Sequence, residues 1–446
     1  MQSASKATNK NNYYKTILIG TGAAGLYFGA GVPCGLGRDV LLLEKTARPA
    51  MKLLMAGSGQ CNVTHGGSIK DFLDCYGDHG NRIRTCLYKH NNLELMCFLE
   101  GLGVPLTERE DGKVFPSSMD ANDVKTALLE ACDKNGVEIR RNSPVTQIKA
   151  AESGFEVVVG DDSVDACMSK NVETASDGRV SKIVDAASGN TTTYSCKNLI
   201  IATGGCSYPT TGSDGSIFRT LCEDLKLKIE EPRPALTPVF VQDYPFAELS
   251  GMSFQNTGLK ILQKDNKSRS FSGALLLTHR NLSGPVILNN SRHMSTGAAL
   301  EINFVYPHST EEVTDLLKRN APGNNRNIST FIGEEYSLPK RFAAMVPQLA
   351  GINDKKISVL TGKELFHLAK TLTAMGFSVS GLGGFNVAMV TKGGISLDEV
   401  NLKTMESKRY PGLYFIGEVL DIDGDTGGYN LQFAYSSAMT ALDHIF

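Results

Sequence analysis

The chain has 446 residues, with 45 basic and 47 acidic side chains and a formal net charge of −2. That balance gives no support to a nucleic-acid or basic membrane-facing surface, and no apolar run approaches the roughly 20 residues of a membrane helix. Ten scattered cysteines without a CxxC pair point to reduced thiols in a cytoplasmic setting, with neither a disulfide framework nor a metal expected.

Residues 1–15 lack the apolar core of a secretory signal and are expected to form a disordered tail, with an organellar transit segment as the alternative. Residues 16–45 then read as one βαβ unit, around which the chain is organised. The apolar run Ile17-Leu18-Ile19 leads into Gly20-Thr21-Gly22-Ala23-Ala24-Gly25, a G-x-G-x-x-G fingerprint in its required place after a strand. Gly20 permits the tight turn, Gly22 lets the backbone approach a pyrophosphate, and Gly25 lets the helix pack on the strand. The anion would sit at the helix N-terminus. A second strand, Val40 to Leu43, ends in Glu44, placed to accept hydroxyls of an adenosine ribose and so to favour FAD or NAD over NADP.

The segment Lys52 to His65 has the glycines and small polar residues of a loop that lies along a cofactor, with Asn62 and Thr64 as polar contacts. Cys61 within it reads as a small packed residue rather than a catalytic thiol. Residues 71–101 read as helical with Gly101 as C-cap, and 120–135 as an amphipathic helix capped by Asp120 or Asn122. Short strands are expected at 113–116 and 137–139. Between 145 and 201 the period changes to two, giving an antiparallel meander of strands at 145–148, 155–159, 180–184 and 192–195, with a long loop at 161–177. A buried strand then ends on Thr203-Gly204-Gly205.

From about 231 the character shifts to proline-bounded strands at 237–241, 259–262, 273–277 and 300–306, followed by helices near 310–319, 338–346 and 362–374. His279 lies in the polar turn Thr278 to Pro285, as an acid/base residue or as a loop hydrogen-bonder. The chain closes with a strand, the turn Gly417-Glu418, an acidic stretch containing Asp421, Asp423 and Asp425, and Gly427-Gly428-Tyr429-Asn430 opening a final helix. A helix dipole there would stabilise the negative charge that builds on a reduced flavin.

The blocks GTGAAG, KLLMAGSGQCNVTH, ATGGCSYPTTGSDG, LTHRNLSGP and GEVLDIDGDTGGYNLQFAYSSA together resemble the aminoacetone-oxidase-like flavoproteins, a group that also includes bile-acid steroid reductases and NAD(P)/FAD-dependent oxidoreductases. The resemblance covers nearly the whole chain beyond residue 15. It implies an α/β architecture: a glutathione-reductase-like, FAD-binding Rossmann domain with a β-meander, built from 16–230 and 381–446, and interrupted at 231–380 by a β-barrel-like insert with a small helical piece. Carried over by position, Gly20, Gly22, Ala23, Ala24 and Gly25 would hold the pyrophosphate and Glu44 the ribose. Lys45, Lys52, Gly59, Cys61, Asn62 and Thr64 would lie along the ribityl and flavin side. Val145, Thr203 and Gly204 would close the adenosine side, and Gly417, Glu418, Gly428, Tyr429 and Asn430 would meet the isoalloxazine. The chain departs from the group at Gln60, where Arg is usual, at His65, where Asn is usual, and at Asn281, where Gly is usual.

The function expected is hydride transfer between flavin and a small organic substrate bound between the FAD domain and the insert. With one dinucleotide fingerprint only, either NADH or NADPH docks transiently as electron donor or dioxygen reoxidises the flavin, as in an oxidase of a small amine or ketone. A non-redox nucleotide-binding or tRNA-associated module, or a flavin-stabilised scaffold, competes from another class, and the even charge argues against RNA. His279, Glu418 and Tyr429 are the catalytic candidates, and neither a nucleic acid nor a membrane is expected as partner.

Overall fold

The computed structural model describes residues 12–160, 191–262 and 268–446. Two compact units divide the chain, one from Met1–Arg233 with Val390–Phe446 and one from Pro234–Met389.

The first unit is built on a nine-stranded mixed sheet. Its parallel centre runs in the order Glu138–Arg140, Val40–Leu43, Tyr13–Ile19, Thr192–Ile201 and Leu413–Phe415. Val40 to Leu43 are fully buried, as the uninterrupted apolar run of a strand covered on both faces requires. The hairpin Val145–Ala151 with Gly154–Val159 pairs antiparallel with the first half of Thr192–Ile201, while Leu413–Phe415 pairs with its last half. The expected α/β Rossmann fold with its meander is therefore present, and the chain's last strand lies in the same sheet as its first.

Several boundaries differ from expectation. The first strand begins at Tyr13, inside the segment expected as tail, because Tyr13 and Tyr14 extend the ladder onto Ser195 and Cys196. The single helix expected over 71–101 is four pieces, Ile69–Phe72, Leu73–His79, Arg84–Lys89 and Asn92–Gly101. It breaks at Gly77, which takes φ 53° and ψ −133°, a conformation that Gly alone adopts readily. The strand expected at 180–184 and the loop at 161–177 lie outside the described residues.

In the second unit six strands close a barrel in the order Val239–Val241, Leu282–Ser283, Ser268–Leu277, Ser253–Leu262, Ala299–Asn303 and Met375–Leu382. Phe246, Phe254, Phe304 and Phe342 form a buried aromatic cluster in this unit, the last two with ring centroids 4.6 Å apart. Four helices pack with it, Thr310–Asn320, Ile328–Glu335, Lys340–Leu349 and Gly362–Thr373. The unit ends at Met389 rather than near 380. After the barrel closes, residues 383–389 stay bonded to its own start, with the Thr237 hydroxyl donating to the Gly383 carbonyl (2.9 Å) and the Met389 N–H to the Leu236 carbonyl (3.2 Å). No helix of the described residues is long and apolar enough to cross a membrane.

Candidate functional site

The fingerprint glycines take the conformations their roles demand. Gly20 has φ +99°, and a Cβ there would fall 2.6 Å from the Ala202 carbonyl oxygen and 2.8 Å from the Thr203 Cα. A Cβ on Gly25 would fall 2.1 Å from the Gly20 carbonyl oxygen, so the helix Ala23–Gly31 seats directly on its own turn. Gly22 is the opposite case: a Cβ there meets no heavy atom within 4 Å. The space beside Gly22 at the helix start is open.

The other end of the chain closes on this point. Ile416 donates to the Ile201 carbonyl (3.1 Å), and a Cβ on Gly417 would fall 2.8 Å from the Ala24 Cβ. Helix Tyr429–Ile445 lies against helix Ala23–Gly31: Tyr27 meets Tyr435 edge-on at 5.4 Å, and a Cβ on Gly31 would meet Met439 and Leu442 at 2.9 Å. These contacts advance together along both helices, so the two are parallel and their N-termini lie at one end. Asn91, Asp120, Ser309 and Thr361 give their helices side-chain caps, whereas Ser216–Leu225, Ile328–Glu335 and Lys340–Leu349 have none. Gly22 and Gly428 cap these two helices without a side-chain hydrogen bond, and neither first turn holds an acid. A glycine N-cap costs only about a few tenths of a kcal/mol against a side-chain cap, and it leaves first-turn N–H groups that an anion or carbonyl ligand can accept.

The segment after the second strand crosses this region, with Ala50 donating to the Thr21 carbonyl (3.0 Å). Lys52 Nζ is 2.5 Å from Glu418 Oε2, and Glu418 Oε1 accepts from the Thr391 N–H (2.9 Å). Glu418 is thus fully engaged and fixes the turn after Leu413–Phe415 to the Lys52 segment. Gly57, Ser58, Gly59 and Cys61 all have positive φ, which carries the chain through a tight reversal into Asn62. The Asn62 amide, in the orientation its neighbours demand, accepts from the Gly428 N–H (3.1 Å) and donates to the carbonyls of Thr64 (2.8 Å) and Val114 (3.1 Å). Thr64 Oγ1 donates to buried Gln432 (2.6 Å). Cys61 is fully buried, and burial pushes its thiol up to about 12, which suits packing and not nucleophilic chemistry.

At the end of the second strand, Glu44 is buried and its four acceptor positions are taken. Oε2 receives the Thr21 N–H (3.1 Å) and hydroxyl, and Oε1 receives the Thr46 N–H and hydroxyl, both at 2.8 Å. A ribose would reach it only by exchanging with the two threonine hydroxyls. Lys45 pairs with Asp214 at 2.7 Å. Val145 starts the hairpin two residues after Ser143, which donates to the Glu44 carbonyl (2.8 Å). Beside Gly20, the Thr203 hydroxyl is buried with no partner among the described residues, and Gly204 has φ +73°.

Tyr429 begins the C-terminal helix half-buried, stacked on His65 at 5.5 Å with 15° between planes, and edge-on to Phe72. Burial, with the Cys75 thiol beside it, holds its phenol far above the usual range, so it keeps its proton. Asn430 is turned inward, its amide bonded both ways to Gly424 at 2.8 Å. His279 stands on the turn between two barrel strands of the second unit. The missing cation at Gln60 is replaced through space: Arg109 donates to Gln60 (2.8 Å) while lying over Phe115. Nothing in its position marked Arg109 in the sequence.

Also unforeseen is His79, which faces Asp421 at 3.4 Å. The Asp421 hydrogen bond and charge lift His79 above its usual value against the opposing effect of burial. Burial works to raise the Asp421 carboxyl, but His79, the Gly393 N–H and Lys392 together hold it below the usual range. The acidic stretch containing Asp421 was visible in the sequence; its histidine partner stands two residues past Gly77, where the expected helix breaks.

Two uncapped helix starts, an open glycine approach and a buried unpartnered hydroxyl fit an elongated dinucleotide such as FAD. Fold and site together define a flavoprotein-type oxidoreductase. The chain belongs to the family described as HI0933-like protein Rossmann domain, matched over residues 14–180 and 159–444. It is 30% identical over 436 residues to the ribosomal RNA dihydrouridine synthase of Escherichia coli, covering 95% of this chain and 96% of that one. Identity to the Haemophilus influenzae protein of the same name is 29% over 430 residues, 96% and 97% of the two chains. A 3-dehydro-bile acid delta(4,6)-reductase of Clostridium scindens is 24% identical over 436 residues, 95% and 97% of the two. Among solved structures, a 3-ketosteroid-delta4-(5alpha)-dehydrogenase from Rhodococcus jostii aligns over 99% of both chains with a TM-score of 0.48 and 13% identity.

Proposed function

We propose that the protein is an FAD-dependent reductase of carbon–carbon double bonds conjugated to a carbonyl, with the uracil ring of ribosomal RNA as substrate. What carries this reading is the chemistry shared by relatives that span nearly the whole chain. Making dihydrouridine saturates the C5=C6 bond conjugated to a uracil carbonyl, and a delta(4,6)-reductase of a 3-oxo steroid saturates bonds conjugated to a ketone. Either product needs a hydride at the carbon remote from the carbonyl and a proton at the adjacent one. FAD, when bound, supplies the hydride.

The chain's own groups take the remaining tasks. Gly20, Gly22 and Gly25 with the first helix start hold the pyrophosphate, and Thr203 gives its unpartnered hydroxyl to the cofactor. The Gly428 helix start directs its N–H groups at the flavin end, where negative charge is stabilised. Lys52 and Glu418 act as positioning residues. Tyr429 is the proposed proton donor from its hydroxyl, with His279 as the competing acid. NADH or NADPH is the proposed electron source, docking without a second fingerprint; reoxidation by dioxygen is the alternative.

The even total charge does not speak against RNA once divided by unit. Residues 234–389 carry 15 basic and 11 acidic side chains, and the rest of the chain 30 and 36. A small-molecule enone is the second reading, favoured by the bile-acid relative. The test is anaerobic: purified protein is expected to be yellow, to bleach with NADPH or NADH, and to regain colour with unmodified ribosomal RNA as uridines gain two hydrogens by mass spectrometry. Bleaching with recovery only on an oxo-steroid would replace the RNA reading with the second. A colourless protein that takes up no FAD would end both.

A further inference from the structure

We propose that the helical part of the barrel unit carries a docking surface for single-stranded RNA, formed by residues 318–326 and 354–366; this rests on the RNA reading above. Helix Thr310–Asn320 ends in Lys318 and Arg319, and the turn after it reaches Arg326. Residues 355–358 return alongside, with Ile357 donating to the Arg326 carbonyl (3.0 Å), Ser358 to that of Asn324 (3.3 Å), and a β-bridge between Asn327 and Lys356. Helix Gly362–Thr373 then runs back antiparallel to the first, its Thr373 hydroxyl 2.7 Å from that of Thr310. Lys363 in its first turn therefore joins the same end as Lys318 and Arg319.

The acids within this end are occupied. Glu334 holds Arg326 at 2.7 Å, Glu364 holds Lys355 at 2.7 Å and also caps its own helix, and Asp354 accepts from Ser329. Among the described residues no carboxylate pairs with Lys318, Arg319, Lys356 or Lys363, and all four are exposed. Two large apolar side chains stand out beside them, Val359 at 59% exposure and Phe366 at 47%. Lys363, Phe366, His367 and Lys370 follow at helical spacing along one exposed face. Glu311 and Glu312 lie in the first turn, toward the opposite end of the pair, while Asp315 stands one turn before Arg319, whose Nε donates to the Asp315 carbonyl (3.2 Å).

A lone exposed phenylalanine needs no explanation. Set among unpaired cations, a flat ring matches what an unpaired strand offers, phosphates at regular spacing and a base with an open face. The surplus of basic residues in this unit has the sign that partner requires.

The test uses the full-length, FAD-loaded protein and a fluorescent uridine-rich single-stranded RNA titrated across several salt concentrations. K356Q with K363Q is expected to reduce the slope of log K against log salt by about 1.4. F366A is expected to weaken binding roughly 5- to 100-fold with little change of slope. FAD absorbance and melting midpoint serve as the check that both variants fold. Wild-type affinity and slope in both variants would overturn the surface while leaving the RNA reading intact, provided the wild type binds RNA and forms dihydrouridine. A wild type that neither binds nor reduces RNA would sink the two together. Vesicles of anionic phospholipid are run alongside: variants that lose vesicle binding but keep RNA binding would also overturn the assignment.

Discussion

Gly22 and Gly25 stand three residues apart and bear opposite burdens. Gly22 has φ −71° and open space before it, so Gly22→Ala should leave the melting midpoint of the apoprotein unchanged yet abolish FAD retention, as the added methyl enters the approach to the phosphates. Gly25→Ala drives a methyl into the Gly20 carbonyl and should destabilise the apoprotein by about 2 kcal/mol or more, read in denaturant. Thr203→Val separates folding from binding in the same way. It removes a buried hydroxyl without a partner, so the apoprotein should hold or gain stability, while FAD binds about 5- to 10-fold more weakly by titration. Cys61 is expected to stay unlabelled by iodoacetamide at pH 8, where exposed Cys34, Cys97 and Cys222 react, since its thiol lies near 12. At this scale the tight turn at Gly20 and the helix contact at Gly25 were legible because both are local. Glu44 and Asn430 were legible in place and type but not in state: a sequence does not say whether a carboxylate or amide already has its partners, and both have them from Thr21, Thr46 and Gly424.

Periodicity located most helices and strands and failed where backbone chemistry intervened. Apolar spacing suggested one helix over 71–101, and left-handed Gly77 divides it, freeing residues 73–79 to dock against the loop after Glu418, where Asp425 donates to the Cys75 carbonyl (2.8 Å). Helix Ile328–Glu335 went unseen because a polar, proline-containing turn precedes it and its two turns are too short for a period to emerge. The His79–Asp421 pair formed by that docking predicts a pH dependence. His79 is raised above its ordinary 6.5, so its contribution is complete below that value and is lost as pH rises through the folded one. Asp421 is lowered from 3.8, so its contribution is present above that value and is lost as pH falls through the folded one. Both operate between about pH 4 and 6.5. His79→Gln should lower the melting midpoint most near pH 5.5 and least near pH 9, and an equal loss at both would remove the pair from the account.

For the molecule as a whole, the two units place different demands on the chain. Residues 234–389 are continuous and hold a closed barrel with its own buried phenylalanine cluster. Expressed alone, that segment should unfold cooperatively in urea with a far-ultraviolet spectrum of mixed helix and strand. The existence of an insert could be inferred from the change of character near 231. Its far limit could not, because glycine-rich residues 383–389 resemble a linker and are tied down by bonds to Leu236, Thr237 and Pro238 across the unit. The other unit is assembled from both termini, with parallel helices that begin at Gly22 and Gly428 side by side. A ribosome making this protein releases half a cradle first and the matching half only with the closing stretch from residue 390. A product truncated before residue 390 lacks the helix start at Gly428 and is expected not to retain the nucleotide, however well its opening fingerprint has folded.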